Sequence, residues 1–163
     1  MVKITAYLRQ PDKRMRNALI GLVLLTSVAL GQTPLDEIVA AEKGFAKRSV
    51  DESIRAAFLA NFDDKTIAWE RGEPVLGRKG WEAREENNGY LFWWPIWADV
   101  ASSGDFGFTT GPVEFGGERT KPSPSGGIYY ASVWKKNEQG VWKVVADLGS
   151  AVYDPAENKK EFA

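Results

Sequence analysis

The chain has 163 residues, 44% of them hydrophobic and 12% aromatic, which suffices for one domain with a packed core and hardly for two. It contains no histidine and no cysteine, which excludes disulfides, Ser-His-Asp and Cys-His nucleophiles, His-built zinc sites and His-ligated haem. Proton transfer is left to Asp, Glu, Tyr or Lys, any metal site would be built mainly from oxygens, and neither a metal nor a cofactor is expected.

The first 31 residues differ from the rest. Lys3, Arg9, Lys13, Arg14 and Arg16 make a basic start, and ALIGLVLLTSVAL, residues 18–30, runs without a charge. Its 13 residues fall short of the roughly 20 that span a bilayer. Ala29-Leu30-Gly31 offers small residues for a signal peptidase, so the layout predicts a secretory signal over 1–31 cut before Gln32. An uncleaved anchor or a buried N-terminal helix is the alternative. The expectation is an exported protein, periplasmic or extracellular, without a stable membrane span after cleavage; with Gln rather than Cys at position 32 it is not a lipoprotein. Removing the leader's five bases and one acid from 21 and 22 leaves 16 and 21, a net charge of −5. No basic stripe remains for phosphates, so nucleic acid is not an expected partner.

Beyond the leader, residues 32–154 read as the domain and 155–163 as a charged tail. Thr33 as cap, Pro34 in the first turn and the acids after it start a helix, and Leu35, Ile38, Val39, Ala41, Phe45 and Ala46 recur at helical spacing to about residue 48. Ser49 with Glu52 has capping-box spacing for a second helix that ends near Asn61 to Asp64. KTIAWE, residues 65–70, predicts a strand, RGEPVLGRKG a loop, and WEAREEN, residues 81–87, a short third helix. Strands are expected over 91–101, 106–115, 127–136 and 141–150, separated by SSGD, a long KPSPSGG turn and NEQG. Helices first and an antiparallel meander after them make an α+β arrangement.

Two segments carry family wording. Trp93, Pro95, Ala98, Val100, Ser103, Gly104, Asp105, Gly107, Thr109, Gly111 and Pro112 stand in the pattern W-x-P-x-x-A-x-V-x-x-S-G-D-x-G-x-T-x-G-P. Tyr130, Val133, Trp134, Gly140, Trp142 and Asp147 stand in Y-x-x-V-W-K-K-x-x-x-G-x-W-K-V-V-x-D. With the helix pair before them, these resemble the nuclear transport factor 2-like superfamily, in its secreted bacterial ketosteroid-isomerase-like branch, over about residues 35–150. The resemblance implies a curved antiparallel sheet wrapped by about three helices into a cystatin-like cone, an apolar pocket, and commonly a homodimer through the outer face of the sheet. It does not fix an activity, because one fold hosts many chemistries.

YLFWWPIW, residues 90–97, sets the problem of the sheet's faces. Alternation places Trp93, Pro95, Trp97 and Asp99 on one side and Trp94, Ile96, Ala98 and Val100 on the other. The second set is the expected interior; the first is nearly as apolar and asks for a second cover, which suggests a homodimer. The last strand divides into Trp142, Val144, Ala146 and Leu148 against Lys143, Val145 and Asp147. SSGDFGFTTG lacks the lysine and the following helix of a phosphate cradle and reads as a turn.

Among the acids, Asp147 and Asp99 are the candidates for carboxylate chemistry, with Tyr130 as a hydrogen-bond donor to a developing oxyanion. A structural role at a strand end competes with this reading of Asp147. Trp69, Trp94, Ile96, Tyr130 and Asp147 are the candidate ligand-lining residues. The expected function is binding of a small apolar molecule, with a cofactor-free isomerase or lyase and a tryptophan sugar platform as alternatives.

Overall fold

The computed structural model describes residues 31–70 and 72–152; the expected signal peptide and charged tail lie outside them. Helix α1, Pro34–Asp51, starts where the sequence predicts. Thr33 Oγ1 accepts from Asp36 N at 3.2 Å while Thr33 N donates to Asp36 Oδ2 at 3.0 Å, a reciprocal cap that satisfies two otherwise orphaned groups. The helix outruns the prediction because Ser49 is not its terminator. Its hydroxyl is buried, lying 2.7 Å from Ala46 O and 2.6 Å from Leu91 O, and Ser53, accepting from Ala56 N at 3.0 Å, caps helix α2, Ile54–Asn61, instead.

Strand β1, Phe62–Glu70, follows directly, and β2, Glu73–Leu76, folds back on it from the predicted loop. Helix α3 spans Gly77–Ala83, four residues earlier than expected at its start. Its Trp81 stacks on Phe58 of α2, with ring centroids 4.2 Å apart. Arg55 holds the end of α3 by donating to the carbonyls of Trp81, Glu82 and Arg84.

The remaining strands are β3, Gly89–Trp93; β4, Trp97–Val100; β5, Phe106–Glu118; β6, Lys121–Lys136; and β7, Trp142–Val152. Together they form one sheet ordered β2-β1-β7-β6-β5-β3, with β4 also on β5. The β1–β7 ladder is parallel and the others antiparallel, so the expected antiparallel meander is mixed at one seam. The predicted KPSPSGG turn is strand instead. Pro122 pairs with Gly117 of β5, and β7 pairs with β6 only from Ile128 onward, so the prolines sit where one side of β6 lacks a strand to receive an N–H.

The predicted long strand over 91–101 is broken at Trp94-Pro95-Ile96. Gly111 of β5 makes room for the break: a Cβ there would lie 1.9 Å from Trp94 O. The break overturns the expected assignment of faces at Trp93 and leaves it standing for Trp97, Ala98 and Asp99. Trp93 turns into the core at 4% exposure, and beyond the interruption Ala98 is buried while Trp97 is 52% exposed and packs on Phe108. The SSGD segment is the turn that was expected, with Gly104 at φ 74° and its N–H on Ala101 O at 2.8 Å.

The concave side of the sheet holds the core, where Ile38, Phe45 and Ala46 of α1 and Ala57 of α2 meet Phe62, Trp93, Trp134 and Val144. Phe45 sits edge-on to Trp93 at 4.7 Å and to Phe58 at 4.9 Å, the geometry that aromatic quadrupoles favour. Among the described residues no helix is long and apolar enough to cross a membrane.

Candidate functional site

A β-bulge creates the site. Between β6 and β7 the register runs Ser132 to Asp147, Val133 to Ala146, then Trp134 to Val144, so β7 carries one extra residue. Strict alternation would put Asp147 opposite Trp142 and Val144; the extra residue brings all three to the concave side. Asp147 thereby joins Ser132 and Tyr130 of β6 on the wall of a cavity of about 100 Å³. Phe45, Phe58, Leu91, Trp93, Val113 and Ile128 supply apolar wall, and the solvent-exposed Gly149 borders it.

Ser132 Oγ donates to Asp147 Oδ1 at 2.8 Å. Burial pushes the Asp147 carboxyl up to about 6 against this hydrogen bond, which favours the ionised form. Tyr130 is 6% exposed. Thr109 is placed to steady its charged form, but the Thr109 hydroxyl is given to Glu42, and among the described residues Tyr130 Oη completes no hydrogen bond. Burial, followed by the charges of Glu42 and Asp147, pushes the phenol far above its ordinary range.

Behind this wall lies an acid that the sequence reading passed over. Glu42 is 0% exposed, at the centre of the buried stripe of α1 between Ile38 and Phe45. Its Oε1 accepts from Trp93 Nε1 at 2.5 Å, and its Oε2 accepts from Trp134 Nε1 at 2.8 Å and from Thr109 Oγ1. Burial pushes Glu42 up to about 7, opposed by these three donors and reinforced by the charge of Asp147. The signal was a charged residue on the apolar phase of an amphipathic helix, a position where an acid needs buried partners.

Of the residues expected at the site, the fold brings together Tyr130 and Asp147. Asp99 is exposed, and its Oδ1 accepts from Val100 N at 2.8 Å, because its side of β4 faces away from the helices. Trp69 is 49% exposed at the β1–β2 edge, far along the sheet order from β5. Trp94 is buried beside Phe92, and Ile96 is half-buried; both fall in the strand break and neither lines the cavity. Among the described residues no group of three or more acids is placed to hold a metal ion.

No protein-family model matches the sequence, and no curated protein matches it. Solved structures do match by shape. A provisionally assigned ketosteroid isomerase from Parabacteroides distasonis superposes with a TM-score of 0.55 at 14% identity, covering 80% of this chain and 96% of its own. A nuclear transport factor 2-like protein of unknown function from Shewanella oneidensis gives 0.55 at 14% identity, over 71% of this chain and 98% of that one. A Nostoc punctiforme protein of unknown function with a cystatin-like fold gives 0.51 at 17% identity, over 74% and 90%. At such identities the likeness speaks for architecture and leaves activity open. Three helices on the concave side of one curved sheet, matched over nearly the full length of these structures, make this a protein of the nuclear transport factor 2-like, cystatin-like fold.

Proposed function

We propose that the protein binds a small, largely apolar molecule carrying one hydrogen-bonding group. The observation that carries this reading is Asp147, set in an otherwise mostly apolar wall and hydrogen-bonded among the described residues by Ser132 alone. A carboxylate is costly to desolvate, and a ligand that hydrogen-bonds to it offsets that cost. The cavity of about 100 Å³ limits the occupant, since an apolar cavity of about 150 Å³ holds benzene. Ligand-observed NMR with a library of four- to seven-heavy-atom fragments tests the reading. Fragments with a polar group should compete for one site and lose affinity in Asp147→Asn, whereas uniform absence of binding would remove the proposal.

A second reading is cofactor-free isomerisation or elimination with Asp147 as base. It is supported by an acid whose proton affinity lies near neutrality, at about 6, beside a buried phenol. Under it, Asp147→Asn abolishes turnover while binding persists; a variant that turns over at the wild-type rate excludes it.

Two further parts of the proposal concern context. Export with cleavage before Gln32 rests on the sequence of residues 1–31, and intact-mass measurement of secreted material decides it. A homodimer through the convex face is supported by Trp97, 52% exposed, set edge-on to Phe108 at 5.0 Å. Sedimentation at micromolar concentration should give twice the chain mass, and Trp97→Asp should give the monomer. The same exposed tryptophan leaves a sugar platform as the outcome if wild type is already monomeric and its fluorescence responds to oligosaccharides.

A further inference from the structure

The composition of the cavity wall says more about its occupant than its size does. Four of the lining residues, Phe45, Phe58, Trp93 and Tyr130, are aromatic, and Asp147 is the one ionisable acid among those that line it. A second acid, Glu42, stands directly behind: Trp93 touches both the cavity and the Glu42 carboxylate, at 2.5 Å from the latter. No lysine or arginine lines the cavity among the described residues. The partners of Glu42 are two indoles and a threonine hydroxyl, none of them cationic. Asp147 therefore faces a small space whose aromatic walls attract positive charge, and its charge raises the cost of ionising the enclosed Glu42 behind that wall.

We propose that the cavity is a site for a small alkylated ammonium ion, of about the size of trimethylammonium, with its N–H on Asp147 and its methyl groups against the aromatic rings. This rests on the cavity being a ligand site, as proposed above, and names the class of ligand. The chemistry selects among candidates. An anion meets the Asp147 carboxylate, with Glu42 behind the wall, and no base among the described lining residues. A neutral alcohol can donate to Asp147 but leaves the repulsion between Asp147 and Glu42 in place. A primary ammonium brings three N–H groups and strong hydration into a wall that offers few acceptors, so its desolvation is poorly offset. An alkylated ammonium has apolar flanks for the rings, one donor for the carboxylate, and a weakly hydrated charge that relieves both acids.

The test uses three compact probes of different charge on the purified protein: trimethylammonium, tert-butanol and pivalate, titrated calorimetrically at pH 8. That pH lies above the value of about 6 at which Asp147 takes up its proton. Trimethylammonium is expected to bind at least tenfold more tightly than tert-butanol, and pivalate to show no binding. Asp147→Asn should cost trimethylammonium at least tenfold and change tert-butanol by less than twofold, with an unaltered circular dichroism spectrum. Tert-butanol binding as tightly as trimethylammonium, or an Asp147→Asn variant that keeps its ammonium affinity, overturns the ammonium assignment while leaving the cavity a ligand site. Failure of all three probes overturns both.

Discussion

Glu42 and Asp147 are two acids withdrawn from water on the same side of one sheet, and the fold treats them in opposite ways. Glu42 takes three hydrogen bonds, from α1's neighbours on β3, β5 and β6, and has no exposed surface. Asp147 takes one among the described residues, from Ser132 on the adjacent strand, and faces a cavity. A carboxylate enclosed by donors organises its surroundings, because removing it takes an acceptor from every donor at once. A carboxylate with a single donor at a cavity wall is a cost to the folded chain, which is why the proposed ligand role rests on Asp147 and not on Glu42.

Removing Glu42 should produce the largest effect. Glu42→Ala leaves Trp93 Nε1 and the Thr109 hydroxyl without their acceptor and Trp134 Nε1 with only Thr109 Oγ1, at 3.2 Å, and is expected to destabilise by about 3–5 kcal/mol in chemical denaturation. Glu42→Gln should recover only part of the loss, since its amide nitrogen meets donors where an oxygen is wanted. A loss below about 1 kcal/mol would mean that the three hydrogen bonds contribute little net and would erase the contrast.

Both acids leave a signature in pH dependence. Their folded values, about 7 for Glu42 and about 6 for Asp147, lie above the ordinary 4.5 and 3.8. Between the unfolded and folded values the native state holds more protons than the unfolded state, so stability falls as pH rises from about 4 and levels off above about 8. The penalty is absent below the unfolded values and complete above the folded ones. Because the two charges act on each other, the joint effect is expected to be on the order of 2–4 kcal/mol between pH 5 and pH 8, read from denaturation midpoints. Glu42→Gln should flatten the upper part of that slope and Asp147→Asn the lower part. A profile rising with pH across this window would reverse the assignment.

Asp147→Asn supplies the opposite sign. Asn keeps an acceptor for Ser132 and removes a charge from the cavity wall, so at pH 8 the variant should gain about 1 kcal/mol of stability while losing ligand affinity or turnover. Equal destabilisation of Glu42→Gln and Asp147→Asn would make Asp147 another structural acid.

What the sequence disclosed of all this follows from where the information resides. The start of α1 was legible because its cap is local: Thr33, Pro34 and Asp36 lie within four positions. Ser49 misled because its hydroxyl has a partner 42 positions away, on Leu91. Uninterrupted alternation assigned Trp93 to the wrong side and separated Asp147 from Trp142 and Val144. A strand break at Pro95 and an extra residue in β7 each invert that parity, and neither is visible without the partner strand. Tyr130 and Asp147 were legible as a pair; Ser132 and Thr109 were not, since nothing local separates a hydroxyl facing a carboxylate from one facing solvent. Glu42 was within reach, as an acid on the wrong side of an amphipathic helix.

Ser132 offers the smallest and finest test of the contrast. Its hydroxyl is 2.8 Å from Asp147 Oδ1 and steadies the charged form of an acid that burial otherwise disfavours. In Ser132→Ala the folded carboxyl should therefore take up its proton at a pH still higher than about 6. The stability loss should be about 1 kcal/mol at pH 8, where the hydrogen bond was to a charge, and smaller at pH 5, where the carboxyl is largely protonated in either protein. Titration of the Asp147 carboxyl followed by carbon NMR measures the shift directly. An upward shift with a pH-dependent loss places Ser132 as the group that sets Asp147's proton affinity. A loss equal at both pH values, with the titration unmoved, makes the serine a packing residue and leaves Asp147 to be tuned by burial alone.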